Sequence, residues 1–353
     1  REHGEQLDET AASATIRDAV SEVVQLQAVA GVDIVSDGEM SKISYATYIK
    51  DRITGFEGDS PRQAPKDLEE FPGFLQRQAS SGGTPTYSRP CCVADIRVKD
   101  MGPVTEDIEN FRAAMAGADV LEGFMNAASP GVIALFQPNH HYPDHESYLE
   151  ALAEAMRPEY EAITEAGLIL QLDSPDLGLG RHMMFKDKTE QEYRQLAGLH
   201  VEALNHATRN IDPGKMRLHV CWGNYEGPHH CDAPMSTVLP IALKARPQAL
   251  LFETSNPRHA HEWTVFRDTE IPDDKILVPG VLDSTTNFVE HPELVAERIC
   301  RFADIVGRER VMAGSDCGFS TFAGFGAVDQ DIVYAKLAAM AEGARIASKS
   351  LWS

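Results

Sequence analysis

Cysteine is scarce in this chain, six among 353 residues, and that scarcity excludes a disulfide scaffold. Positive charge is scarce too. Lys and Arg number 32 against 54 Asp and Glu, a formal net charge of −22. So acidic a chain is repelled by phosphate backbones and anionic headgroups, which argues against nucleic acid or a membrane as partner. No run of 18 apolar residues occurs, so no spanning helix is expected. No internal repeat, long linker or signal peptide stands out. Because the chain begins at Arg1, an upstream piece is expected to be missing.

What is present is apolar material, 43% of the residues, enough for one large core. Short apolar runs alternate with amphipathic stretches, the pattern of an α/β protein with a parallel sheet. The strand-like runs are 32–37, 131–136, 168–173, 216–221, 249–253, 276–283 and 311–316. A (β/α)8 TIM barrel needs eight such strands, and seven are legible. Ile16, Val20, Val23 and Gln27 share one helical face, stopped by Gly31. Leu149, Leu152, Met156 and Ile163 share another, with a kink or break expected at Pro158. Leu294, Ile299, Phe302 and Val306 outline a third, stopped by Gly307. The stretch from about 55 to 102, rich in Pro, Gly and Ser, reads as an excursion over the barrel mouth, where long loops act as lids or binding walls. The whole chain, 1–353, reads as a single domain.

Chemistry gathers where three of these runs end, at His219-Val220-Cys221, Glu253 and Cys317. Parallel barrels place ligands and catalysts at the carboxyl ends of their strands. A period of two puts His219 and Cys221 on one side of a strand, so both can reach one metal. Two thiolates, an imidazole and a carboxylate make a mixed sulfur, nitrogen and oxygen donor set that suits Zn2+. Such a site can take an incoming thiol and hold it as thiolate, the reactive form of sulfur. Two thiolate ligands temper the metal's acidity, which suits thiol alkylation better than water activation. A thiolate-rich site also favours a reducing cytoplasm.

Six segments, Val35-Ser36-Asp37-Gly38-Glu39, Gln171-Leu172-Asp173-Ser174-Pro175, His219-Val220-Cys221, Phe252-Glu253-Thr254-Ser255, Pro279-Gly280-Val281-Leu282-Asp283 and Gly314-Ser315-Asp316-Cys317-Gly318, occur in one order over nearly the whole chain. In this the chain resembles the catalytic domain of cobalamin-independent methionine synthase, above all the shorter, single-domain members of that superfamily. The resemblance implies that His219, Cys221, Glu253 and Cys317 are the zinc ligands. It implies that Asp173 holds the amino group of the thiol amino acid, with help from Glu39. It implies transfer of a methyl group from a 5-methyltetrahydropteroyl-glutamate type donor to homocysteine sulfur. It also implies a first strand with a Gly-Ser turn, which is expected upstream of Arg1 or missing.

The departures are informative. The family has a His shortly after its "G-V-x-D" strand that protonates the departing folate nitrogen; here the chain reads Asp283-Ser284-Thr285-Thr286-Asn287. His291 precedes Pro292 at a helix start and does not take the role. The family's "D-E-P-A-L-R-E" becomes Asp173-Ser174-Pro175-Asp176-Leu177. Both changes weaken the case for a folate donor and leave the thiol-activating half intact. Two alternatives follow: opening of an epoxide by a zinc-activated thiol, as in the sister epoxyalkane:coenzyme M transferases, and a non-catalytic zinc-binding homologue. The proton for the leaving group is then expected from water or Asp283.

Remaining candidates flank the mouth. The cluster 225–232 reads as a loop lining it, with His229 and His230 as substrate contacts in preference to a second metal site. His259 and His261 read as loop hydrogen-bonding residues. Arg258, like Arg89, offers a guanidinium that matches carboxylates or sulfonates. The partners expected are a small-molecule thiol and an alkyl donor, with homo-oligomerisation left open.

Overall fold

The computed structural model describes residues 8–61, 64–80, 88–326 and 328–353. Its organising element is a curled sheet of seven parallel strands: β1 (Ile34–Ser36), β2 (Glu122–Ala128), β3 (Ile169–Asp173), β4 (Met216–His219), β5 (Ala249–Phe252), β6 (Ile276–Leu282) and β7 (Gly314–Ser315). Spatial order equals chain order, so each strand pairs with its sequence neighbour. The sheet is a half-barrel, with β1 and β7 as its edges among the described residues. Near-continuous apolar runs such as Ala249-Leu250-Leu251-Phe252 are buried throughout, as strands covered on both faces must be.

Eleven helices accompany the sheet among the described residues: α1 (Glu9–Val29), α2 (Lys66–Glu69), α3 (Pro72–Ser80), α4 (Gly102–Ala116), α5 (Pro130–Phe136), α6 (His145–Glu165), α7 (Glu190–Ala207), α8 (Met235–Ala242), α9 (Trp263–Arg267), α10 (Pro292–Val306) and α11 (Gln330–Leu351). Helix α1 starts where the Asp8 carboxylate accepts the Thr10 and Ala11 amides, and the chain turns out of it at Gly31, whose φ of +86° favours glycine. Its Gln27 faces the sheet and bonds both backbone groups of Ser36, at 3.0 and 2.9 Å, which seals the end of β1. Helix α6 runs unbroken through Pro158, so the break expected there does not occur. Between α9 and α10 the core is aromatic: Phe252 stacks on Phe266 at 4.3 Å and Phe302 meets both edge-on. Burying each such ring contributes roughly 1.5–3 kcal/mol.

The run 131–136 is a helix, α5, and the second strand is Glu122–Ala128. The strand reading fails because a short apolar run carries no periodicity to separate a buried helix from a buried strand. The deciding signal is Ser129-Pro130. The Ser129 hydroxyl caps the Val132 amide at 3.1 Å, and proline is preset for the first helical turn.

The excursion is built from an antiparallel pairing of Phe56–Glu57 with Cys91–Cys92 and from α2 and α3; its residues 62–63 and 81–87 lie outside the described residues. Pro65, Leu68 and Arg89 from it line the same cavity as the strand-end residues described next. Among the described residues no helix is long and apolar enough to cross a membrane.

Candidate metal centre

His219 is the last residue of β4, Glu253 follows β5 and Cys317 follows β7. The ends of these strands bring the donors together. A His219 ring nitrogen and the sulfurs of Cys221 and Cys317 all lie within 4.8 Å of one another. The two sulfurs are 3.0 Å apart and belong to free cysteines. Glu253 Oε1 is 3.7 Å from Cys317 Sγ. Around Glu253, the Trp222 amide donates to Oε1 at 2.8 Å and Asn256 Nδ2 donates to Oε2 at 2.8 Å. Cys221, Cys317 and Glu253 are all buried.

This group fits a cation. A carboxylate buried beside two thiols is costly unless a positive charge sits among them. The protein supplies no cationic side chain within hydrogen-bonding distance of Glu253 among the described residues. In its place the thiols stay protonated: the Cys221 contact, burial and Glu253 together push Cys317 well up. The bond from Cys317 holds Cys221 down, but burial and Glu253 outweigh it and its thiol is raised as well. His219, Cys221, Glu253 and Cys317 could therefore hold a thiophilic divalent metal, whose binding would release these protons.

A second layer orients the donors. Asp173 sits level with His219 in the β3–β4 register, and its Oδ1 meets His219 Nδ1 at 3.1 Å. Asn126 Nδ2 donates to Oδ2 of the same carboxylate at 2.8 Å, and Gln171 Nε2 to Oδ1 at 3.0 Å. Burial pushes the Asp173 carboxyl up, but the His219, Asn126 and Gln171 bonds outweigh it and hold it below the ordinary carboxylate range. Arg217, two residues before His219 on the same face of β4, gives two bonds to Gln171 Oε1, at 2.8 and 2.6 Å. A guanidinium only donates, so Gln171 must turn its NH2 toward Asp173. With Asp173 accepting at Nδ1, Nε2 is the nitrogen that could face a metal, the carboxylate–histidine arrangement common around bound metals; here it lies 3.2 Å from Asp316 O, a contact that a metal would replace.

Asp316 fixes the loops. Its carboxylate accepts the amides of Thr254, Ser255 and Asn256 at 2.8–2.9 Å, tying the segment after β5 to the one that carries Cys317. Gly280 makes room for it: a Cβ there would lie 2.1 Å from Asp316 Oδ1.

His219, Cys221 and Cys317 open onto a cavity of about 990 Å³, with Glu253 behind them. Glu39 and Asp173 both line it. Glu39 lies in a tight turn with φ +52°, after Gly38 at +64°, a conformation rare for a side-chain-bearing residue and characteristic of functional sites. Its carboxylate pairs with Lys42 Nζ at 3.1 Å, and Lys42 also donates to Asn126 O. Burial raises the Glu39 carboxyl above its usual range against the pull of Lys42.

The other expected site residues lie elsewhere. His229 stacks on Tyr225 at 4.3 Å, and its ring bonds Asp232 Oδ2 and Tyr225 O. His230 is exposed and bonds Glu70 at 2.7 Å. Arg258 is exposed, reaching His230 O at 3.4 Å. Asp283 turns on its own loop and accepts from Thr285 and Thr286. None of these four lines the cavity. Arg89 does line it, with its guanidinium on the carbonyls of Phe136, Pro61 and Leu135. Lys42, Asn126, Arg217 and Asp316 escaped the sequence reading. Asn126 was hidden by the misplaced second strand, whereas Asp316 stood next to Cys317 in plain view.

A curled parallel sheet whose strand ends gather two thiols, an imidazole and a carboxylate defines an α/β protein with a candidate metal centre at its carboxyl face. The chain belongs to the cobalamin-independent synthase, catalytic domain family, whose model matches residues 2–345. It is 26% identical over 340 residues to a methionine synthase of Saccharolobus solfataricus, covering 95% of this chain and 85% of that one. It is 24% identical over 336 residues to a methionine synthase of Sulfurisphaera tokodaii, covering 95% and 82%. Among solved structures it is similar to a B12-independent methionine synthase from Shewanella sp. W3-18-1 in complex with selenomethionine, with a TM-score of 0.74 at 19% identity, covering 99% of this chain and 91% of that one.

Proposed function

We propose that this protein is a zinc-dependent thiol alkyltransferase that moves a methyl group from a 5-methyltetrahydropteroyl-glutamate type donor to the sulfur of homocysteine. The observation that carries the reading is the convergence of His219, Cys221 and Cys317 within 4.8 Å in the lining of a large cavity, with Glu253 beside Cys317. Membership of the cobalamin-independent synthase family supports the reaction class.

Zinc held by His219, Cys221, Glu253 and Cys317 would supply Lewis acidity that keeps a substrate thiol deprotonated near neutral pH. The rest falls to the protein. Asp173, kept ionised by its three donors, and Glu39, which lines the same cavity, bind the homocysteine ammonium and aim its sulfur at the metal centre. Arg217 and Gln171 keep Asp173 in place. Two reactants held in one cavity gain most from positioning. Asp283 holds the turn after β6 and does not line the cavity, so the proton for the leaving group comes from water.

The full eight-stranded barrel belongs to the same reading. The cavity continues between β1 and β7, where Leu26, Ile34, Val278, Val311, Leu337 and Met340 line it. One further extended segment would fill that apolar slot and close the sheet.

Epoxide opening by coenzyme M remains the second reading, because the turn 283–287 carries Thr285 and Thr286 where the folate enzymes carry a histidine. The test crosses homocysteine and coenzyme M with the methylated folate and a small epoxide, on zinc-loaded protein, following loss of free thiol. Turnover with homocysteine and the folate is expected. Turnover with coenzyme M and epoxide alone would replace the first reading by the second. In either assay Cys317→Ser should lose the zinc of this centre and activity; full activity with unchanged zinc would overturn the metal assignment.

A further inference from the structure

A second group of metal-type donors lies outside the buried centre. Glu70 closes α2, in the excursion. His230 and Cys231 are consecutive in the turn that leads from Cys221 toward α8. One ligand atom from each lies within 4.8 Å of the other two. His230 Nε2 is 2.7 Å from Glu70 Oε2, and Cys231 Sγ is 3.9 Å from Glu70 Oε1. Donors around a tetrahedral zinc lie roughly 3.4–3.6 Å apart, given metal–ligand bonds of about 2.0–2.3 Å. The two pairs made by Glu70 therefore reach that spacing with shifts of under about an ångström, within the freedom of an exposed glutamate and histidine.

The surroundings hold the two segments in register without any metal. Asp67 of α2 is fully buried and accepts from the Tyr225 hydroxyl at 2.8 Å and the His229 amide at 2.9 Å. The backbone carrying Glu70 is thus pinned to the backbone carrying His230 and Cys231 by bonds that do not use the three donors. The Phe71 ring packs edge-on against His230 at 5.4 Å and restricts its rotation. A preset pair of segments lowers the entropy that ligation must overcome.

The geometry points to a second, solvent-facing site for a zinc-class divalent cation, ligated by Glu70 Oε, His230 Nε2 and Cys231 Sγ with water completing the shell. It is a clamp. It would lock helix α2 of the excursion onto the loop that starts at Cys221, and so stiffen the cavity wall to which Leu68 contributes. The mixed sulfur, nitrogen and oxygen donors select zinc over magnesium or calcium. Ligation displaces the Cys231 thiol proton and any proton on His230 to solvent, with no redox change.

The test is zinc stoichiometry on the full chain, stripped of metal and kept reduced. Zinc is titrated against a chromophoric chelator, and bound metal is counted after gel filtration. Wild type should bind two equivalents, Cys317→Ser one, and the double variant His230→Asn with Cys231→Ser one. Because all three donors are on or near the surface, the double variant should fold, and circular dichroism checks this. A second readout uses Cys317→Ser, in which the buried centre is disabled: zinc should slow proteolysis within the excursion at least tenfold, and adding His230→Asn should abolish that protection. One equivalent in wild type, or two equivalents retained by the double variant, would overturn the proposal.

Discussion

Asp173 illustrates how much a single carboxylate is asked to do. It accepts from His219, Asn126 and Gln171 and also faces the cavity. Asp173→Asn keeps the shape but loses the charge and one acceptor. Outer carboxylates on metal-bound histidines are worth about 10–100-fold in metal affinity. The variant should weaken zinc by that order in a chelator competition and raise the KM for homocysteine; unchanged zinc affinity would mean that Asp173 serves the substrate alone. His259 is a second instructive residue, buried between Asp232 at 2.8 Å and Glu262 at 2.7 Å. Burial would lower its pKa, but the two carboxylates raise it to about 10. The folded state therefore holds its proton more tightly than the unfolded one, whose histidine titrates near 6.5. The stabilisation is fully present below about pH 6.5 and is lost as pH climbs through about 10, on the order of a few kcal/mol. Melting wild type and His259→Gln across that window should show a falling difference; a constant difference would mean a neutral His259. At this scale the sequence exposed the four side chains that converge at the strand ends, His219, Cys221, Glu253 and Cys317, since each ends an apolar run. It did not expose the roles of His229, His230 and Arg258, because which way a loop side chain turns depends on partners such as Asp232 and Glu70 that are distant along the chain.

At the scale of elements, strands were legible where apolar runs were long or ended in a polar signal, as in β3 through β6. The one misplacement, 131–136 for Glu122–Ala128, shows why. The strand reads Glu-Gly-Phe-Met-Asn-Ala-Ala, with Asn126 spent on Asp173 and Gly123 set against Met115 and Phe111, so function and packing diluted its hydrophobicity. Helix α5 is as apolar as a strand because it is wholly buried except at its last residue, Phe136. Its Gly131 is forced: an added Cβ would lie 2.1 Å from Asp176 Oδ2 and 2.5 Å from His200 Nδ1, which are themselves bonded at 2.8 Å. Gly131→Ala should cost about 1–3 kcal/mol in urea unfolding, as overpacking does. Gly198, in α7, has nothing within 4 Å of an added Cβ, so Gly198→Ala should stabilise by about 0.5–1 kcal/mol. Equal effects of the two substitutions would show that backbone entropy, not contact, governs both.

For the whole molecule, charge dominates. A net charge of −22 is spread over a fold whose described core pairs Arg52 with Asp107 and Glu159, Lys336 with Glu290, and His259 with Asp232 and Glu262. Self-repulsion should destabilise the compact state at low salt. Raising monovalent salt from about 0.01 M to about 0.15 M shortens the screening length from roughly 30 to 8 Å. The melting temperature of the metal-loaded protein should rise over that interval; a fall would mean that specific ion pairs outweigh the general field.

The division of labour between strand ends and excursion has a consequence for descent. Every donor of the candidate metal centre hangs on or just beyond a strand of the sheet, whereas Pro65, Leu68 and Arg89, which line the same cavity, come from the 55–102 excursion. On the proposed function, mutations in the excursion would spare the residues that activate sulfur. A lineage could therefore trade one alkyl donor for another by rewriting fewer than fifty residues, and keep the ancestral thiol chemistry throughout.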